Sequence, residues 1–158
     1  MDPKLLYQEM ILDHNKKPRN FGKLDDATHR AEGFNPLCGD HIWVALKLDA
    51  DAIGAIAFEG YSCAICKASA SMMTAAVKGK PVANAEALVD EFRSMVTGSV
   101  QAASSPGLAR LTVFAGIKDL PSRVKCAVLP WHTLHAALNQ TASATTEGDA
   151  DPFSSGAA

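Results

Sequence analysis

Apolar residues near the N-terminus recur at intervals of three and four. Leu6, Tyr7, Met10, Ile11 and His14 share one stripe, which predicts an amphipathic helix over about 3–14. Asp2 is suited to cap it and Pro3 to its first position. The run Lys16-Lys17-Pro18-Arg19-Asn20-Phe21-Gly22 ends it, because Pro and Gly break helices. The period then changes to two. From His41 to Asp49, Ile42, Val44, Leu46 and Leu48 fall on one face, with Trp43, Lys47 and Asp49 on the other, the pattern of a half-buried strand. A turn at Asp51-Ala52-Ile53-Gly54 leads to a second strand through Ile56 and Phe58 to Gly60, and Thr28–Glu32 reads as a weaker edge strand.

Helical spacing returns from Cys63 to Lys78, closed by Gly79 and Pro81. A third helix is predicted from a cap at Asn84, with Leu88, Phe92, Met95 and Val96 as its stripe and Gly98 at its end. Ser99–Gly107 reads as a loop, and Leu108–Ile117 is apolar but too short to assign. Pro121-Ser122 opens a last helical segment that runs to about Leu138. Strands first and helices after give an α+β fold: a small three-stranded antiparallel sheet packed against about four to five helices. One domain is expected over residues 1–140. Residues 141–158, rich in Ala, Ser, Thr, Gly and acid, read as a flexible C-terminal tail.

Composition narrows the class. With 47% apolar and 20% charged residues, the chain is expected to be globular. A net charge of −2 gives no electrostatic footprint for nucleic acid or an anionic membrane surface. No apolar run reaches the length of a membrane span, and the start Met1-Asp2-Pro3-Lys4 lacks the pattern of a signal peptide. The expected address is cytoplasmic.

That address changes how the four cysteines, at 38, 63, 66 and 126, are read. In a reducing compartment they point to metal binding or thiol chemistry rather than to disulfides. Cys38 lies in the turn Asn35-Pro36-Leu37-Cys38-Gly39-Asp40, where Cys-x-Asp spacing can put a thiolate and a carboxylate on one cation. Cys63 follows a strand and opens a helix, where unpaired N–H groups favour a thiolate. Cys126 is placed near the start of the last helix. Three thiols and Asp40 would make a tetrahedral set for zinc; equally, free cysteines often serve as small buried apolar groups. Cys63-Ala64-Ile65-Cys66 is also placed as a thioredoxin-like dithiol motif would be. The two positions lie about 60° apart on a helix, yet Cys66 shares its stripe with Met73 and Val77 and so fits the core. The histidines, at 14, 29, 41, 132 and 135, read as packing or surface groups. His132 and His135, three apart, form a further possible ligand pair.

Four stretches together resemble one family. They are Leu12-Asp13-His14 through Asn20-Phe21-Gly22, the Asn35–Asp40 turn, Gly60-Tyr61-Ser62-Cys63-Ala64-Ile65 with Ala68–Met73, and Arg123-Val124-Lys125-Cys126-Ala127-Val128-Leu129 with Trp131. In this order they resemble the U-type iron–sulfur cluster assembly proteins (NifU N-terminal and IscU-like, with the SufE/IscU-like fold), and within them the SufU branch. The resemblance implies metal ligands at Cys38, Asp40, Cys63 and Cys126. It implies the branch through Lys125, where IscU-type members carry His, and through the extra stretch around Gly98–Gly116.

The family likeness implies a zinc-dependent sulfurtransferase that accepts persulfide sulfur from a SufS-type cysteine desulfurase and serves a downstream iron–sulfur assembly scaffold. The alternative is a scaffold on which a [2Fe–2S] or [4Fe–4S] cluster is built; a Cys63/Cys66 dithiol oxidoreductase is the third reading. Zinc keeps its thiol ligands deprotonated near neutral pH, and a thiolate is what attacks a persulfide. Cys38, framed by Pro36 and Gly39, is the ligand best able to leave the metal and is assigned as sulfur acceptor. Arg123 is expected to contact the partner. Lys125 is expected either to offset the anionic site or to remain solvated. Cys66 stands where the family has Ser, which makes it a possible accessory thiol. Pro130 stands where a small residue is usual, so the last helix is expected to start near Cys126 or to break at Pro130.

Overall fold

A computed structural model describes residues 2–99, 106–140 and 143–146. Helix α1 (Pro3–Lys16) starts where the sequence predicts. Asp2 accepts a hydrogen bond from the Lys4 backbone N–H at 2.9 Å, and Pro3 fills the first turn. Most of its stripe turns inward, with His14 buried and Tyr7, Met10 and Ile11 packed against the core, whereas Leu6, expected on the same stripe, is exposed.

Strands β1 (His29–Asn35), β2 (Asp40–Asp49) and β3 (Ala52–Tyr61) form an antiparallel meander. Ile42, Val44 and Leu46 of β2 face the core, as their period of two requires. Leu48 is only half-buried, because the β2–β3 register shifts between Lys47 and Leu48. β1 runs to Asn35, longer than the edge strand expected at 28–32, and pairs Asn35 with Asp40 across the hairpin. A fourth strand, β4 (Ser143–Thr145), lies parallel to β1 and gives the order β3-β2-β1-β4. The sheet therefore has four strands, not three. β4 and Thr146 come from the stretch read as a tail, and the remainder of that stretch is outside the described residues. Three residues containing a single buried Ala144 carry no period, so pairing here depends on the neighbouring strand.

Helix α2 (Ala64–Val77) follows β3 with Cys63 as its N-cap. Helix α3 (Val82–Val96) begins before Asn84, so Asn84 lies in the first turn and does not cap it. The start is set by the β2–β3 turn instead: the Val82 N–H donates to the Asp51 carbonyl at 2.7 Å. The unassigned apolar stretch is a 3-10 segment (Pro106–Ile117) broken at Ala109, whose φ of 49° and ψ of −119° lie outside any helix. Most of the loop before it, residues 100–105, is outside the described residues. Helix α4 (Pro121–Leu138) covers the sheet and touches α2 and α3. Its Trp131 is fully buried, stacks on Phe92 at 4.6 Å, and donates its indole N–H to Ser69 Oγ.

Helix α4 spans Pro121 to Leu138, as the Pro121-Ser122 opening predicts, and the expectation that it starts near Cys126 or breaks at Pro130 is corrected. It begins at Pro121, so Cys126 lies in its second turn, and it runs through Pro130 without ending. Proline in a helix interior forfeits one hydrogen bond, here to the Cys126 carbonyl, and costs about 3 kcal/mol. Burial of the whole run Cys126–Leu134 against sheet and helices offsets that. The neighbouring Ala127 carbonyl receives Ser69 Oγ at 2.6 Å, which holds the two helices together at this point. Among the described residues no helix is long and apolar enough to cross a membrane.

Candidate metal centre

The β1–β2 hairpin turns through residues 36–39, and its flanking pair, Asn35 and Asp40, points into the protein. Gly39 has a φ of 73°, a left-handed conformation that a Cβ would strain. This turn carries Cys38 outward, where it is the one exposed cysteine. Asp40 is buried. Its Oδ1 accepts the Cys63 backbone N–H at 2.7 Å, tying β2 to the N-cap of α2. Gly60, just before Cys63, has a φ of 131°, and a Cβ there would run into the His41 carbonyl. Close approach of β3 to β2 at this point brings Cys63 up to Asp40.

Helix α4 delivers Cys126 from the other side. Its Sγ lies 3.3 Å from Cys38 Sγ. Donor atoms of Cys38, Asp40 and Cys126 all fall within 4.8 Å of one another. Cys63 stands at the edge of this trio, with its Sγ 3.8 Å from Asp40 Oδ2. The structure thus gathers three thiols and one carboxylate, contributed by a hairpin turn, a strand, a helix cap and a helix interior. Soft sulfur donors with one hard oxygen, converging from four elements, fit a tetrahedral ion of zinc type.

Electrostatics separates the thiols. Cys126 donates a hydrogen bond to Cys63, which holds the Cys63 pKa down to about 7 against the opposing effect of burial. Backbone N–H groups of Cys66 and Ile65 at the start of α2 add to this. Cys126 is pushed well up, first by the hydrogen bond it gives to Cys63 and then by burial. Cys66 is fully buried, and burial pushes its thiol up. It points into the core, as its stripe with Met73 and Val77 indicates, and its backbone N–H donates to Cys63 Sγ at 3.4 Å.

Arg123 is exposed at the rim of a cleft of about 850 Å³ that Tyr7 also lines. Lys125 is half-buried one residue before Cys126. The histidines do not join the thiols. His14 bonds Ser71, His41 pairs with Glu32, His135 with Glu86, His29 meets Thr28, and His132 is buried in α4.

Two participants escaped the sequence reading. Asn35 is fully buried; its Nδ2 donates to Asp40 Oδ2 at 3.4 Å and to Cys126 Sγ at 3.8 Å. Its Oδ1 accepts the Leu37 N–H and the hydroxyl of Thr146. The available signal was an Asn at the mouth of a four-residue turn, a residue type more often exposed there. Tyr7 is the second: its hydroxyl is buried without a hydrogen-bond partner, and burial raises its pKa while Arg123 opposes. On sequence it was one member of an apolar stripe.

Comparison with known proteins places this centre in context. The model of the NifU-like N-terminal domain matches residues 6–127. The chain is 41% identical over 139 residues to the iron–sulfur cluster assembly scaffold protein IscU of Streptococcus pyogenes, covering 88% of this chain and 86% of that protein. It is also 41% identical over 129 residues to the zinc-dependent sulfurtransferase SufU of Bacillus subtilis, covering 82% and 86%. A crystal structure of a putative scaffold protein for the SUF system of Fervidobacterium islandicum superimposes with a TM-score of 0.79 at 34% identity, over 85% of this chain and 97% of that one. The sequence motifs, the fold and the relatives agree, and the chain belongs to the NifU-like N-terminal domain family of iron–sulfur cluster assembly proteins, alongside IscU and SufU.

Proposed function

We propose that this protein is a sulfurtransferase of iron–sulfur cluster assembly that accepts sulfur from a SufS-type cysteine desulfurase and passes it to a downstream assembly scaffold in the cytoplasm. The observation that carries this reading is the asymmetry of the thiols: Cys38 is exposed on a turn, while the groups around it are half-buried or buried. Zinc would be held by Cys38, Asp40, Cys63 and Cys126. When bound, it would keep the thiols ionised near neutral pH.

The transfer needs one acceptor thiolate. Cys38 attacks the outer sulfur of a persulfide on the donor cysteine. A new S–S bond forms at Cys38, the donor's S–S bond breaks, and the donor leaves as a thiolate. Asn35 and the Cys63 N–H hold Asp40 in place while Cys38 moves. Arg123, exposed beside the cleft, is suited to meet acidic groups on the partner. Lys125 adds positive charge next to Cys126.

A scaffold reading, in which the same residues hold a growing cluster, is favoured by the IscU name of an equally similar relative. Lys125, where the resemblance puts His in the IscU branch, favours transfer. Burial of Cys66 and the upward shift of its pKa count against a Cys63/Cys66 dithiol oxidoreductase. The test is elemental analysis with a desulfurase assay. One zinc per chain, and stimulation lost in Cys38→Ala with the fold retained, is the expected result. An iron–sulfur absorbance spectrum after anaerobic loading, with no stimulation of a desulfurase, would replace transfer by scaffolding.

A further inference from the structure

Away from the cysteines, His14 is buried at 6% exposure, and its Nδ1 lies 2.7 Å from Ser71 Oγ. The same hydroxyl oxygen accepts the Arg19 backbone N–H at 2.8 Å. Among the described residues the Ser71 hydroxyl has no other acceptor, so its proton goes to Nδ1 and the imidazole proton goes to Nε2. That Nε2–H has no hydrogen-bond partner among the described residues. Burial, then Arg19 and Arg110, hold the His14 pKa below its ordinary value, which keeps the ring neutral.

His14 lines a cavity of about 400 Å³ between α1, α2 and the 3-10 segment, and no cysteine lines it. Arg19 and Arg110 line the same cavity. Arg19 gives one N–H to Asp13 Oδ2 at 2.7 Å and one to the Lys17 carbonyl, which leaves three of its five donors. Arg110 has no hydrogen bond or ion pair to any described residue. It follows Ala109, whose positive φ breaks the 3-10 segment. Such strain costs about 1–3 kcal/mol and persists where the surroundings require it. The remaining wall is apolar, with Met10, Met72, Leu108 and Leu111.

We propose that this cavity is a binding site for a carboxylate carrying a short apolar chain. The guanidinium of Arg110 takes the carboxylate, Arg19 adds charge, the His14 Nε2–H donates, and the chain lies on Met10, Ala75 and Ala76 over a floor of the buried Met72, Leu108 and Leu111. Guanidinium is matched to carboxylate by its paired N–H donors. Asp13 opposes an anion but is already held by Arg19, and the volume lies within the ordinary range for small ligands. Such a carboxylate can come from a free aliphatic acid or from the C-terminus of a peptide ending in an aliphatic residue.

The experiment titrates the full-length protein by calorimetry with hexanoate, 1-hexanol, a tripeptide ending in leucine, and its C-terminal amide. Hexanoate or the free peptide is expected to bind at least about tenfold more tightly than its uncharged counterpart. Arg110→Ala is expected to lower that affinity about tenfold or more, with Arg110→Lys between. Arg110 is exposed, so circular dichroism should show both variants folded. Preference for hexanoate assigns a free acid, and preference for the peptide assigns a chain terminus. The proposal is overturned if neither acid binds, if acid and neutral counterpart bind alike, or if Arg110→Ala binds unchanged. A 15N spectrum placing the His14 proton on Nδ1 would also overturn it.

Discussion

Asn35→Ala is the sharpest probe of how the cysteine site is held together. Asn35 is fully buried and joins four groups: Asp40, Cys126, the Leu37 N–H and Thr146. Its two shorter bonds, at 3.2 and 3.1 Å, are each worth about 1 kcal/mol. The contacts to Asp40 and Cys126 are long, at 3.4 and 3.8 Å, and add less. Asp40 keeps the Cys63 N–H, so it is not stranded. The total is about 2–3 kcal/mol, which in a domain of this size lowers the melting temperature by about 4–12 °C. The measurement is thermal unfolding with a strong chelator present, so that metal affinity does not enter. Thr146→Val removes one bond and should cost about 1 kcal/mol. Because Asn35 holds the Asp40 carboxylate proposed as a zinc ligand, zinc affinity measured separately should fall about 10–100-fold in Asn35→Ala. Melting within about 1 °C of the parent together with unchanged zinc affinity would show that Asn35 does not hold the site, since two bonds at a buried site cannot vanish without effect.

Cys66→Ser should leave zinc content and desulfurase stimulation nearly unchanged, whereas Cys63→Ser should remove zinc; loss of activity in Cys66→Ser alone would favour a dithiol mechanism. Ala109→Gly should raise the melting temperature by about 2–4 °C, since relief of a positive φ exceeds the entropy cost of glycine by about 1 kcal/mol; no change would mean that the turn is unstrained. Burial holds the His14 pKa below 6.5, so in acid the unfolded chain binds a proton that the folded chain does not. Stability should therefore fall as pH drops below 6.5, and His14→Gln should flatten that part of the profile; an identical slope would place the dependence elsewhere. In metal-free protein Cys63 should ionise near pH 7 and Cys126 only in alkali, read by thiolate ultraviolet absorbance; ionisation of both near neutrality would contradict the opposite shifts.

The periodic parts of this fold are legible in the sequence because period and burial coincide. The stripe of α1 from Tyr7, the alternation of β2 up to Leu46 and the core side of α2 are each one residue pattern facing one surface. What escapes is set by neighbours distant in sequence. β4 is too short to show a period and exists by pairing with β1. α3 starts at Val82 because Asp51 receives its N–H, which no local cap at Asn84 could reveal. Pro130 is tolerated because its helix is buried, a property of packing rather than of the helix alone. The same division runs through the site. Cys38, Asp40, Cys63 and Cys126 carry chemistry that residue type announces. Asn35 and Tyr7 matter through where their polar atoms end up, and only assembly of the hairpin, α1 and α4 shows that.

That division bears on how the proposed site would both hold an ion and give up one ligand. Asp40, Asn35 and Cys126 are buried, and Cys63 is fixed as the N-cap of α2. Each would have to drag an element of secondary structure to move. Cys38 lies on a four-residue turn between two paired strands, with Gly39 in a left-handed conformation and Leu37 largely exposed beside it. Displacing Cys38 breaks no strand pairing, because the ladder closes at Asn35 and Asp40. Those two residues are also the ones that hydrogen-bond behind the turn. The hairpin thus confines motion to the segment that carries the exposed thiol, while its closing pair keeps the other three donors in register. A site built from four equally rigid ligands would bind metal as well, but it would have no thiol to offer a partner.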